Sequence, residues 1–157
     1  MNLIQSKKVQ ISKEGLEALE KELRVLVDEK RPKLVERLEH ARNQGDLAEN
    51  SDYTAARDEL EFLDGRISEL EEVIDNAVVV NGKSGTSTVA FGTKVTLAVD
   101  KNEIVYEIVG AWEADPLKKR ISHESPLGQA LLGKKVGDKV EIEAPAGKIV
   151  YTIVKID

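Results

Sequence analysis

The chain has 157 residues, 41% of them hydrophobic and only 4% aromatic, enough for one ordinary domain or two small ones. Charged residues make up 33% of it, which suits long solvated helices, and the net charge is −6. Cysteine is absent, which excludes disulfides and thiol chemistry, and two histidines alone disfavour a zinc site.

Val9 and Ile11 alternate with polar residues in a short extended lead-in, and Ser12 is a good N-cap for the helix that follows. Gly15 in the first turn weakens that start slightly. Leu16, Leu19, Leu23 and Leu26 then form a heptad seam, which slips by one residue and continues through Val27, Leu34, Leu38 and Ala41. Arg31 occupies the intervening seam position. Pro32 lies inside the slip and predicts a kink or local unwinding, because it cannot donate to the carbonyl of Asp28.

Gly45-Asp46-Leu47-Ala48-Glu49-Asn50 interrupts the helical pattern, and a second helix leads away over residues 51–76. Tyr53, Ala56, Leu60, Leu63, Ile67, Leu70 and Ile74 alternate at spacings of three and four without error. Antiparallel pairing puts Ala41 opposite Tyr53, Leu38 opposite Ala56 and Leu34 opposite Leu60 in one register. Leu23 with Leu70 and Leu19 with Ile74 follow a register one residue out of step, and the change coincides with the slip near Pro32. A single hairpin with arms about 40 Å long explains both seams, and the small Ala41 and Ala56 let it narrow toward the tip. An ordinary bundle is the alternative, but the chain offers no third or fourth helix to complete one.

After Ala77 the pattern changes to β-branched residues and a linker at 81–88. Strands are expected at 91–99 and 103–109. A short helix follows over 125–132, with Ser125 as N-cap, Pro126 at the first helical position and Gly133 at its end. A hairpin over 139–144 and 148–156 completes a small α+β domain. The expected division is therefore 1–76, an antiparallel coiled-coil hairpin, and 77–157, the α+β domain. Residues 12–76 carry 19 acidic and 10 basic side chains, and the rest of the chain carries 10 and 13. The acidic hairpin is a poor general nucleic-acid binder. No run approaches a membrane span and Met1–Lys8 lacks an apolar core, so a cytoplasmic protein is expected.

Asp46 and Glu49 admit two readings. Asp-x-x-Glu resembles a capping box, with Asp46 as N-cap and Glu49 at N3, and on spacing alone capping outweighs chemistry. Their place at a tip favours metal chemistry instead, since Mg²⁺ takes one or two carboxylates along with waters and phosphates. Two carboxylates are too few to hold it alone, so a partner must supply the rest. Arg37 and Arg57 face each other in the register with Arg42 nearer the tip. They are either neutralised by Glu36, Glu39 or Asp58 or form a small phosphate patch. His40 and His123 have no metal or nucleophile partner and are read as surface or edge residues; Trp112 is read as a core-edge residue.

The sequence resembles the bacterial transcript-cleavage factors of the GreA/GreB family along nearly its whole length. The resemblance is carried by Ala41-Arg42-Asn43-Gln44-Gly45-Asp46-Leu47-Ala48-Glu49-Asn50-Ser51-Asp52-Tyr53, by Gly65-Arg66-Ile67 and by Ile121-Ser122-His123-Glu124-Ser125-Pro126-Leu127. It implies an N-terminal antiparallel coiled coil followed by a small FKBP-like domain. It also implies that the hairpin enters the secondary channel of RNA polymerase. There Asp46 and Glu49 would help hold a second Mg²⁺, shared with the polymerase, and stimulate cleavage of backtracked RNA. The catalyst would be the polymerase, not this chain. Arg42 and Arg57, with Arg37 beside them in the patch, would contact the displaced nascent RNA 3′ end. Ser122, Glu124 and Pro126 would dock on the polymerase. A monomer is expected, and the modest arginine patch is GreA-like rather than GreB-like. Two rivals remain: a related channel-binding inhibitor, whose tip is more acidic, and a prolyl-isomerase-type folding helper, for which the few aromatics are thin.

Overall fold

The computed structural model describes residues 7–46, 49–82 and 85–157. Residues 1–6 of the lead-in, Leu47 and Ala48 of the tip, and residues 83 and 84 of the linker lie outside the described residues. The described chain forms two compact units, Leu16–Asn76 and, separately, Lys7–Gly15 with Ala77–Asp157.

In the helical unit, α1 (Lys13–Val25) leads into a short π-helical segment, Leu26–Lys30, and then α2 (Arg31–Arg42). After the turn, α3 (Ser51–Asp75) returns along α2. Leu19, Leu26, Ala41, Ala56, Leu63, Ile67, Leu70 and Val73 are the buried apolar residues of this hairpin. The two alanines are wholly buried, which lets the arms approach closely beside the tip.

The seam slip has a physical cause. The Arg31 N–H bonds to the Leu26 carbonyl, five residues back rather than four, so one extra residue is absorbed in a single wide turn. Pro32 follows at once and donates no bond. The expected seam place of Val27 is corrected here: it is 39% exposed, and Leu26 holds the buried position. Near the base, Val73 is buried while Ile74 is only half-buried. A straight helix drifts by ~20° per heptad against a 3.5-residue repeat, so the adjacent position takes over along the arm.

The other unit is α+β. A five-stranded sheet runs in the order β5-β4-β3-β7-β6, formed by β3 (Lys94–Val99), β4 (Asn102–Val109), β5 (Arg120–Ser122), β6 (Lys139–Ala144) and β7 (Gly147–Ile156). Only the β4–β5 pair is parallel. The short helix α4 (Pro126–Leu131) supplies Leu127, Ala130 and Leu131 to a core of Val89, Val95, Leu97, Ile108, Val140 and Ile153. The first strand begins at Lys94 rather than at residue 91, because Ala90–Thr93 form a turn in which the Thr93 hydroxyl donates to the Ala90 carbonyl at 2.7 Å. Residues 7–15 join this unit through β1 (Val9–Ile11), which pairs in parallel with β2 (Ala77–Val79).

A buried carboxylate fastens that lead-in. Glu113, 8% exposed in a short turn of 3₁₀ helix, accepts from the Ser12 N–H at 2.9 Å and the Gly110 N–H at 3.2 Å. The Ser12 hydroxyl donates to its other oxygen, and Arg120 lies 3.6 Å away. Gly15, a poor helix former, stands against this carboxylate, where a Cβ would collide with it. Sparse helix propensity at that position is the cost of a closely packed acid.

Candidate functional site: the hairpin tip and the loop before the short helix

Gly45 takes φ +134°, a conformation that disfavours any side chain, and it turns the chain out of α2. Asp46 and Glu49 follow, both exposed. Neither is the N-cap of α3. That helix starts at Ser51 and its N-cap is Asn50, whose side-chain oxygen accepts from the Tyr53 N–H at 3.0 Å. The capping-box expectation for Asp46 and Glu49 is thereby corrected. Both come before the cap residue in the chain, so the carboxylates stand ahead of the cap and not within it.

Asn50 does more than cap. Its amide nitrogen donates to the carbonyl of Ala41 at 2.7 Å, within the last turn of α2. A single side chain thus bonds a leaving helix and an entering one, beside the Gln44 N–H that also donates to the Ala41 carbonyl at 3.2 Å. Its own carbonyl accepts from the Thr54 N–H at 3.2 Å. Sequence reasoning missed this residue. The signal was present in its cap preference. However, Asn50, Ser51 and Asp52 are consecutive cap-competent residues, and only the backbone decides among them.

The arginines separate into different states. Arg37 is engaged across the hairpin: Nε and Nη2 meet Asp52 Oδ1 at 3.1 and 2.7 Å, and Nη1 meets both Glu59 oxygens at 3.1 Å. The hydrogen bonds to Asp52, then Glu59, hold its guanidinium above its ordinary pKa. Its neutralising partners are therefore Asp52 and Glu59 on the facing helix, not Glu36 or Glu39 on its own. Arg57 pairs with Asp58 at 3.3 Å, a neighbour the sequence had offered. Arg42 ends α2 and is exposed. Arg31, in the intervening position of the seam, reaches Asp64 at 2.7 Å, and Arg66 reaches Glu22 at 2.9 Å. The exposed rim of the hairpin is thus laced by pairs between its arms.

The second candidate region is the loop between β5 and α4. Ser122 ends β5, and its hydroxyl accepts from the Glu124 N–H at 3.0 Å. The Ser125 hydroxyl donates to the Ser122 carbonyl at 2.7 Å and accepts from the Gly128 N–H at 3.0 Å, as an N-cap does. Pro126 occupies the first helical position. Gly128 is required because a Cβ there would strike the Ser122 carbonyl. Glu124 is exposed and lies 3.6 Å from Lys7. His123 packs edge-on to Phe91 with ring centres 5.6 Å apart and faces the Val109 carbonyl at 3.2 Å. His40 stands on the exposed surface beside Gln44.

Two family models match the chain. "Transcription elongation factor, N-terminal" covers residues 9–79, and "Transcription elongation factor, GreA/GreB, C-term" covers residues 84–157. The chain belongs to the GreA/GreB family of transcription elongation factors. Among curated relatives it is 46% identical to transcription elongation factor GreA of Lactococcus lactis subsp. cremoris (strain MG1363), over 94% of this chain and 96% of that one. It is 42% identical to GreA of Bacillus subtilis (strain 168), over 98% and 99%. The crystal structure of GreA factor homolog 1 (Gfh1) of Thermus thermophilus is 29% identical, covering 96% of this chain and 99% of that one, with a TM-score of 0.46. Family membership rests on the sequence matches. Two features of the family-like motifs now have a structural explanation: Asn50 closes the tip, and Ser122 with Ser125 shapes the β5–α4 loop. Among the described residues no group of three or more metal-ligating side chains occurs, and no helix is long and apolar enough to cross a membrane.

Proposed function

We propose that this elongation factor acts on RNA polymerase by presenting Asp46 and Glu49 to its active centre, where they stimulate cleavage of backtracked RNA. The observation that carries the proposal is the position of the two carboxylates: exposed, at the far end of a narrow hairpin, and ahead of Asn50, the residue that caps α3. Carboxylates are hard oxygen donors, and a pair of them fits Mg²⁺ only where a partner completes the shell. The polymerase is that partner, and Asp46 and Glu49 are the two ligands this chain contributes. A shared Mg²⁺ supplies water activation and offsets charge on the phosphoryl oxygens.

The remaining roles follow from the side chains. Arg42 and Arg57 hold the displaced RNA 3′ end by its phosphates. Arg37 joins them only by leaving Asp52 and Glu59, so its role is secondary. Ser122, Glu124 and Pro126 form a firmly bonded loop suited to docking on the polymerase. The chain acts as a cytoplasmic monomer and holds no Mg²⁺ when free.

The test is cleavage of RNA in stalled polymerase complexes, with wild-type protein and with Asp46→Asn or Glu49→Gln. Either substitution is expected to lower cleavage at limiting Mg²⁺ by at least about 10- to 100-fold, the scale on which even the hydrogen-bonding partners of metal ligands act, while binding to polymerase is kept. Added Mg²⁺ partly restores it by mass action. Wild-type cleavage by Asp46→Asn at limiting Mg²⁺ would falsify the metal role.

A further inference from the structure

The geometry of the tip points to Asn50 as the positioning residue for the acidic pair: we infer that its double hydrogen bond sets how tightly Asp46 and Glu49 engage a divalent cation. The inference rests on the proposed metal role and goes beyond it, since Asn50 itself need touch neither metal nor RNA.

Chain connectivity ties the acids to this residue. Glu49 is bonded directly to Asn50, and Asp46 lies between Ala41 and Asn50. Were the two helix ends free to part, the carboxylates would explore different separations, and a cation would have to select one. Each populated arrangement that cannot bind reduces the competent fraction, and apparent affinity falls in proportion. The Asn50 amide removes that freedom at both ends at once. Its nitrogen holds the end of α2 through the Ala41 carbonyl at 2.7 Å, and its oxygen holds the start of α3 through the Tyr53 N–H at 3.0 Å. Ala41 is wholly buried, so this anchor belongs to the packed seam and not to the exposed rim. Buried Ala56 lies one turn past Tyr53 and anchors the other arm in the same way.

Chemistry selects asparagine for the task. A cap needs an acceptor, which Asp, Ser, Thr or Asn provides. Reaching the Ala41 carbonyl at the same time needs a donor on the same side chain at amide length. Aspartate has no donor when ionised. Serine has one, but its hydroxyl is a single short branch that cannot span both partners. The two functions are therefore separable by substitution: Asn50→Ser keeps the cap and drops the tie, and Asn50→Ala drops both.

Two measurements on the full-length chain test this. The first is amide ¹⁵N relaxation of the free protein. Asn50→Ser is expected to lower the order parameters of the Asp46 and Glu49 amides from rigid values of about 0.85 toward 0.6, while those of Ala56 and Leu63 stay unchanged. The second is the Mg²⁺ dependence of RNA cleavage in stalled polymerase complexes. Asn50→Ser is expected to raise the half-saturating Mg²⁺ about three- to tenfold, the worth of one hydrogen bond, with the rate at saturating Mg²⁺ and the affinity for polymerase kept. Asn50→Ala shifts it further in the same direction. A merely structural role would lower binding or maximal rate instead of splitting them. Unchanged order at Asp46 and Glu49, or an unchanged Mg²⁺ midpoint with Asn50→Ser, overturns the inference. Asp46→Asn distinguishes the two levels of failure. If it cleaves like wild type, the metal reading falls. If it is inactive while Asn50→Ser keeps the wild-type midpoint, the metal reading stands and the positioning role falls.

Discussion

Glu113 in the sheet unit and Asp46 with Glu49 in the hairpin are all carboxylates, held in opposite surroundings. Glu113 is buried, and Ser12, Gly110 and Arg120 converge on its oxygens. Asp46 and Glu49 are exposed on a turn that no core supports. A buried charge is tolerable only when its oxygens are saturated by donors, and a saturated acid has little left to offer a ligand. An exposed acid keeps its hydration and contributes little to the fold by burial. The difference separates a carboxylate that holds the fold together from the two to which the proposal assigns a metal.

That contrast can be broken most sharply at the hairpin seam, where stability is expected to depend on burial alone. Leu63, 8% exposed, lies in the middle of α3. Leu63→Asp is expected to cost ~3 kcal/mol or more by burying an uncompensated charge, and circular dichroism should show helix lost in an earlier melting step. A melt like that of the wild type would mean that the hairpin is not held by its seam.

A somewhat smaller effect is expected from Glu113→Ala, about 2–4 kcal/mol, because the Ser12 and Gly110 N–H groups lose their acceptor, while Arg120 keeps only Glu107 at 3.5 Å. Chemical denaturation followed by Trp112 fluorescence measures it. If Glu113→Ala matched Asp46→Asn in its effect on stability, the division between structural and functional acids would fail.

The smallest effect is at alkaline pH. Burial, and secondarily Tyr106, push the Tyr151 phenol above its ordinary value of ~10. A pKa raised in the folded state means that its contribution is intact below the unfolded value and is lost as pH rises through the folded one. The melting temperature of the sheet unit should therefore begin to fall above pH ~10, and Tyr151→Phe should flatten that decline.

Much of this architecture is legible in the sequence because it is periodic. The seam of α3 reads correctly from Tyr53 to Leu70. The slip in the first arm shows as a change of register in the spacing of its apolar residues, and the π-helical turn is its cause. The short helix at Pro126 is marked by Ser125 and by the proline itself. What cannot be read is set by contacts between distant residues. Glu113 depends on Ser12, 101 positions away, and β5 is three residues long with no pattern of its own. At the tip, the motif draws attention to the acids, while the choice of cap among neighbouring polar residues depends on where α3 begins. That boundary is a property of the backbone and of the reach to Ala41, and composition does not encode it.

The wide turn at Leu26–Lys30 behaves like a dislocation in a crystal: one surplus residue is accommodated locally so that order resumes on either side. Without it, every side chain from Leu34 to Ala41 would be rotated by about 100° and would leave its partner helix. Such a defect could in principle glide along a uniform helix, each step exchanging one carbonyl partner for the next. Pro32 forbids that motion toward the tip, because the hydrogen bond that a passing defect must exchange does not exist there. The defect is pinned, and with it the rotational phase at which the outer arm delivers its last turn.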